Sequence, residues 1–124
     1  MKIIIGIAVA GAAGALARYG LDGLVSDRTG GSFPWGTLVV DVTGSFLLGL
    51  LFVLLTERLP VSSSVRTTLM IGFVGAYTTF STLSLETFQL VQDGAIGLAA
   101  ANALGSLALG LAAVWAGVML GRAI

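Results

Sequence analysis

The chain has 124 residues, 56% of them hydrophobic and 10% charged, and its six basic and six acidic side chains cancel to a net charge of zero. That is too little polar surface to clothe a soluble domain of this size, so the composition is that of an integral membrane protein. The balanced charge and the lack of any basic tract argue against nucleic acid and against a polybasic lipid anchor, and with no Cys and no His, thiolate chemistry, zinc sites and a histidine proton switch are excluded.

Four stretches reach the roughly 20 residues of helix that a hydrocarbon core requires; they fall at about 3–20, 35–55, 67–90 and 95–120. Polar breaks separate them at 22–34, 57–64 and 92–94, and links this short predict one compact four-helix unit over 1–124 with no second domain. The opening Met1-Lys2-Ile3-Ile4-Ile5 has the charged-then-apolar start of a signal peptide. It merges into a glycine-patterned span carrying Arg18 with no cleavage stretch after it, so it is expected to be the first span. In that span Gly6, Ala10 and Gly14 recur at four-residue spacing and lead in register to Arg18, which can snorkel to the interface from the end of its helix.

The second span carries Asp41 in an otherwise apolar helix, facing the same way as Ser45 and Leu48, with Ser45 and Gly49 as a small-residue pair. An acidic side chain at that depth costs about 2.5–3.5 kcal/mol, which predicts a protonated acid, an ion-pair partner or a pathway group. The third span is the most polar. From Gly72 to Glu86 it places glycines, six hydroxyl groups and a carboxylate at membrane depth, where lipid cannot solvate them. Thr78, Thr82 and Glu86 recur at helical spacing and read as a polar track. Gly72 and Gly75 supply flexible backbone and the hydroxyls can take over freed backbone bonds, so an unwound stretch near 75–79 is expected. Exposed carbonyls there suit a small hard cation, and half-helix N-termini suit an anion. A kinked, hydroxyl-lined helix with a pure packing role would show similar spacing. The fourth span has two small-residue rows, Gly97, Ala101 and Gly105, and Gly117 with Gly121, which predict close packing and oligomerisation.

Four spans place both termini on one side. Lys2, Arg58, Arg66 and Arg122 lie toward one face and Arg18 and Arg28 toward the other, a small bias that leaves open insertion in both orientations. No enzyme is expected, because no His, Cys or Ser-Lys pairing at depth offers a base for a nucleophile. Polar groups held in so short and apolar a chain point instead to a channel or transporter.

The stretches Gly36-Thr37 through Asp41, Gly44-Ser45-Phe46 and Gly49, and Gly72 through Thr78-Thr79-Phe80-Ser81-Thr82, Leu83, Ser84 and Glu86, resemble the two signature stretches of the small fluoride channels, the Fluc or CrcB family. Gly11 to Tyr19 and Ser106 to Gly110 are similar to that family's first and fourth helices, so the resemblance covers nearly the whole chain. It implies an all-α membrane protein of four transmembrane helices with a break in the third, assembled as an antiparallel dual-topology dimer in the cell membrane. It also implies passive export of fluoride, which relieves fluoride toxicity, and a structural sodium ion at the dimer centre on the backbone carbonyls of Gly75 and Thr78. Phe80 matches the family's first pore aromatic and Ser106 its fourth-helix serine. Thr82, Ser84 and Glu86 match its polar stretch, and Arg18 its first-helix arginine.

Fluoride holds water strongly, so a pathway must replace that water with hydroxyl or amide donors or with the positive edge of an aromatic ring. Phe80, Thr82, Ser84, Ser106 and Asn102 could form such a line. Three positions depart from the family pattern: Asp41 stands in place of its asparagine, Leu83 in place of its second pore phenylalanine, and Asn102 where a tyrosine is frequent. An ionised Asp41 beside the pathway would repel an anion by several kcal/mol at low effective dielectric, so it must be neutral, neutralised or off the route. Two assemblies follow: a homodimer in which a protonated Asp41 replaces the amide and Phe80 alone supplies the ring, or a heterodimer whose related partner supplies the missing groups. Two other classes are kept. A proton-coupled small multidrug-type exporter would stop when the proton gradient collapses, and a non-transporting membrane assembly subunit would give no flux in any combination.

Overall fold

The computed structural model describes residues 1–124 and is all-helical. Helix α1 spans Lys2–Thr29, and α2 spans Trp35–Val53 and runs on through a π-helical turn, Leu54–Arg58. A short α3, Ser63–Thr67, continues as a π-helical segment, Thr68–Val74, into the single turn α4, Gly75–Tyr77. Helices α5, Phe80–Gln92, and α6, Ile96–Ala123, complete the chain. Four helical stretches, Lys2–Thr29, Trp35–Arg58, Ser63–Gln92 and Ile96–Ala123, are long and apolar enough to cross a membrane, and the chain reads as a multi-pass membrane protein.

The first helix extends further than its hydropathy predicts. Nothing between Asp22 and Thr29 breaks a helix, and side chains there bond within it: Ser26 Oγ donates to Asp22 Oδ1 at 3.2 Å and Thr29 Oγ1 to the Val25 carbonyl at 2.9 Å. It ends at Gly30 and Gly31, whose φ values of 61° and 77° only glycine adopts without strain.

Glycines set the helix crossings. A Cβ on Gly14 would strike the Phe73 carbonyl, so α1 lies directly on the backbone of the π-helical segment. A Cβ on Gly49 would strike the Val114 carbonyl and one on Gly117 the Phe46 carbonyl, which makes the α2–α6 seam a close backbone approach from both sides. The remaining small-residue row behaves differently. Gly97 and Gly105 have no atom within 4 Å of a would-be Cβ, so that face of α6 is not a contact within this chain. Outward faces carry exposed apolar side chains such as Ile5, Val9, Leu16, Leu104 and Trp115, the pattern of a lipid-facing surface.

At one end of the bundle Arg58 donates through Nη2 to the Arg122 carbonyl, and Arg122 pairs with Glu57 at 3.4 Å. Lys2 and Ser64 line one small cleft, so the ends of α1, α2, α3 and α6 that carry Lys2, Arg58, Arg66 and Arg122 gather on the same side.

Candidate functional site

Between α4 and α5 the chain leaves the helix for two residues. Thr78 (φ −85°, ψ 158°) and Thr79 (φ −151°, ψ 117°) are extended. Residues 41, 43 and 44 of α2 meet residues 77, 78 and 79 one after another. Tyr77 is buried, and its hydroxyl pairs with Thr43 Oγ1 at 2.8 Å. A Cβ on Gly44 would overlap Thr78 Cγ2, so only glycine lets Thr78 sit against α2. The Thr79 N–H donates to Asp41 Oδ1 at 2.9 Å. Thr79 then caps α5, its Oγ1 accepting the Thr82 N–H at 3.2 Å and donating to Thr82 Oγ1 at 3.0 Å.

Several backbone oxygens are free at this interruption, and these bonds account for two of them, those of Gly75 and Thr78. The helical donors for the carbonyls of Gly75 and Thr78 are the N–H groups of Thr79 and Thr82, and both are engaged by side chains; no hydrogen bond reaches either carbonyl. Two bare carbonyls at the C-terminal end of a half-helix are hard oxygen donors, and they fit a cation such as sodium.

A groove of about 820 Å³ opens beside the interruption, walled by α2, α5 and α6. Of the residues singled out from the sequence, Asp41, Thr78, Phe80, Leu83, Ser84 and Ser106 line it. The Phe80 ring stands on its rim, 81% exposed. Thr82, Glu86, Asn102, Gly75 and Arg18 do not line it. Thr82 is turned into the cap of α5. Asn102 is fully buried, its Nδ2 donating to Thr87 Oγ1 at 2.9 Å while Oδ1 has no partner. Glu86 lies beside Thr37, with Asp22 and Asp41 as charged neighbours, and one of its oxygens is buried without a partner. Arg18 is a charged neighbour of Asp41, its Nε likewise buried and unpartnered, and no ion pair within 4 Å joins the two.

The hydroxyls around the groove fall into two kinds. Threonine protons are spent on the protein: Thr78 donates to the Val74 carbonyl at 3.1 Å and Thr87 to the Leu83 carbonyl at 2.8 Å. Serine protons are not. Ser45 on α2, Ser84 on α5 and Ser106 on α6 all line the groove and make no hydrogen bond, and the Ser106 hydroxyl is buried. Each wall thus offers one uncommitted donor. The sequence places Ser45 in a small-residue pair with Gly49 and on the face of Asp41, without assigning it to the pathway; its position one turn after Asp41 was the signal for its place in the groove. Thr87 and Phe88 also line the groove unforeseen, and both continue the α5 face of Phe80, Leu83 and Ser84.

The sequence of residues 5–118 matches the family model described as CrcB-like protein, Camphor Resistance (CrcB). The fluoride-specific ion channel FluC of Solibacter usitatus is 48% identical over 122 residues, covering 98% of this chain and 99% of that protein. The protein of the same name from Geobacter sulfurreducens is 48% identical over 122 residues, with 98% of both chains covered. The one from Coxiella burnetii (strain CbuK_Q154) is 49% identical over 111 residues, covering 89% of this chain and 90% of that one. With the match running through all four spans and both stretches that build the groove, the chain belongs to the CrcB family.

Proposed function

We propose that this chain is a subunit of a fluoride-selective channel that passively exports fluoride across the cell membrane and so relieves its toxicity. The observation that carries the reading is the set of three uncommitted serine donors, one from each wall of the groove, beside the Phe80 ring edge. Relatives covering nearly all of this chain carry the name fluoride-specific ion channel, and the groove chemistry accords with that name. Ser45, Ser84 and Ser106 can each turn a proton toward a passing anion, and the ring edge of Phe80 adds positive potential. Free N–H groups in the first turn of α5 add the favourable end of a helix dipole. Together these replace the water that fluoride must shed. One oxygen of Asp41 is bound to the Thr79 N–H at the positive end of α5, which offsets part of the repulsion that an ionised Asp41 would exert on an anion.

The working unit in this proposal is an antiparallel dual-topology dimer. Gly75 has an ordinary helical φ of −61° and nothing in the chain crowds it, so no contact within the subunit calls for glycine there. A second subunit approaching this face supplies a reason, and it would also cover the exposed Phe80. A sodium ion at that junction would be held by the Gly75 and Thr78 carbonyls, where it supplies fixed positive charge that ties the two subunits together.

Growth tests the proposal directly. In a bacterium deprived of its own fluoride exporters, expression of this chain restores growth in fluoride-containing medium, and the Ser84→Ala, Ser106→Ala double variant restores it poorly at equal membrane abundance. Failure of the unmodified chain to protect, alone or with a related subunit, rejects it.

A further inference from the structure

The helical donors of the Gly75 and Thr78 carbonyls are both taken by side chains, and the inference drawn from this rests on the cation reading given above and deepens it. In an unbroken helix the Thr79 N–H would close onto the Gly75 carbonyl and the Thr82 N–H onto the Thr78 carbonyl. In this chain the first donates to Asp41 Oδ1 at 2.9 Å and the second to Thr79 Oγ1 at 3.2 Å. We propose that Asp41 and Thr79 are positioning residues for the cation site: each accepts the N–H that would otherwise occupy one cation-binding carbonyl.

The chemistry suits the task. A carboxylate accepting a backbone N–H is a stronger acceptor than an amide carbonyl, and Asp41 sits where the partial positive charge of the α5 N-terminus favours it. It therefore outcompetes the Gly75 carbonyl for the Thr79 donor. Thr79 completes the relay, because its extended backbone lets its own hydroxyl reach the Thr82 N–H, as an N-cap does. Remove either acceptor and a part-buried N–H loses its partner; the backbone acceptor that a helix would offer it is the carbonyl four residues back. The helix would then close over a ligand of the cation. The Tyr77–Thr43 bond and the Gly44 seat fix Tyr77 and the Thr78 side chain but accept neither the Thr79 nor the Thr82 N–H.

The test is a sodium titration of the purified full-length chain at constant ionic strength, with choline replacing sodium, read as thermal stability. Asp41→Leu and Thr79→Val each raise the half-saturating sodium concentration by about five- to tenfold, the worth of one re-formed backbone hydrogen bond. Thr79→Ser retains the acceptor hydroxyl and stays within about twofold of the unmodified chain. Folded Asp41→Leu and Thr79→Val proteins with unchanged sodium dependence overturn the inference and leave the cation reading standing. A lack of any sodium response in the unmodified chain overturns both. Residue-resolved amide exchange of the unmodified protein needs no variant: slow exchange at Thr79 and Thr82 is expected, and fast exchange at both overturns the inference even if the apolar variants fail to fold.

Discussion

A hydroxyl can serve an anion only if its proton is free, and that condition separates the serines of the groove from its threonines. Thr78 and Thr87 donate to carbonyls one turn back, whereas Ser45, Ser84 and Ser106 donate to nothing in the protein. Each serine-to-alanine change is therefore expected to lower fluoride conductance by about tenfold to a hundredfold, the range for losing a hydrogen bond to a charged group. Thr87→Ser, which keeps the hydroxyl, leaves it nearly unchanged; single-channel or bulk flux recordings distinguish the two classes. Leu83 lines the groove beside Phe80 without a ring edge, so Leu83→Phe is expected to raise fluoride flux, and a fall would show that the second ring is not missed. The face shared by Asp41, Ser45 and Leu48 was legible from spacing alone, and all three line the groove. Which hydroxyls spend their protons was not legible, because that depends on φ and ψ at each position and on the neighbouring helix. The same holds for Asn102, whose place in the chain suggested the pathway but whose side chain is buried on Thr87.

Among the elements, glycine placement decides which helices touch. Gly49 and Gly117 seat the α2–α6 seam from opposite sides, each against a carbonyl of the other helix. Gly49→Val or Gly117→Val should destabilise the fold by about 1–3 kcal/mol through overpacking, seen as a lower melting temperature in detergent. A Cβ at Gly97 or Gly105 meets no atom within 4 Å, so Gly97→Ala and Gly105→Ala should leave the fold of the subunit intact. Spacing by itself predicted both rows of α6 as packing faces; only one is used within the chain, because a periodic pattern marks a smooth stripe without saying what lies against it. The polar end of α1 was read as a loop for a related reason. Hydropathy falls after Gly20, but the backbone has no cause to stop until Gly30. The third span divides at two threonines where β-branched side chains, an N-cap and an acceptor from α2 coincide. The first two of these are visible in the sequence, and the third required knowing that Asp41 and Thr79 are neighbours.

For the molecule as a whole, the groove walled by α2, α5 and α6 is open on the face that carries Phe80, and a pathway needs that face closed. In the proposed antiparallel dimer, a second copy inserted in the opposite orientation would close it. Reporter fusions to the C-terminus should accordingly give signal in both compartments, and a reporter confined to one compartment would rule out dual topology for this chain. Added arginines at one end of the bundle should then drive single orientation and abolish function unless an oppositely biased copy is supplied. The most direct measurement is fluoride efflux from liposomes containing the purified, folded chain, followed with a fluoride electrode while potassium and valinomycin relieve the charge. A fluoride channel built from this chain gives rapid efflux that excludes chloride and persists when the proton gradient is collapsed. Efflux that stops with the proton gradient, or none at all from folded protein even with a related subunit present, would contradict it.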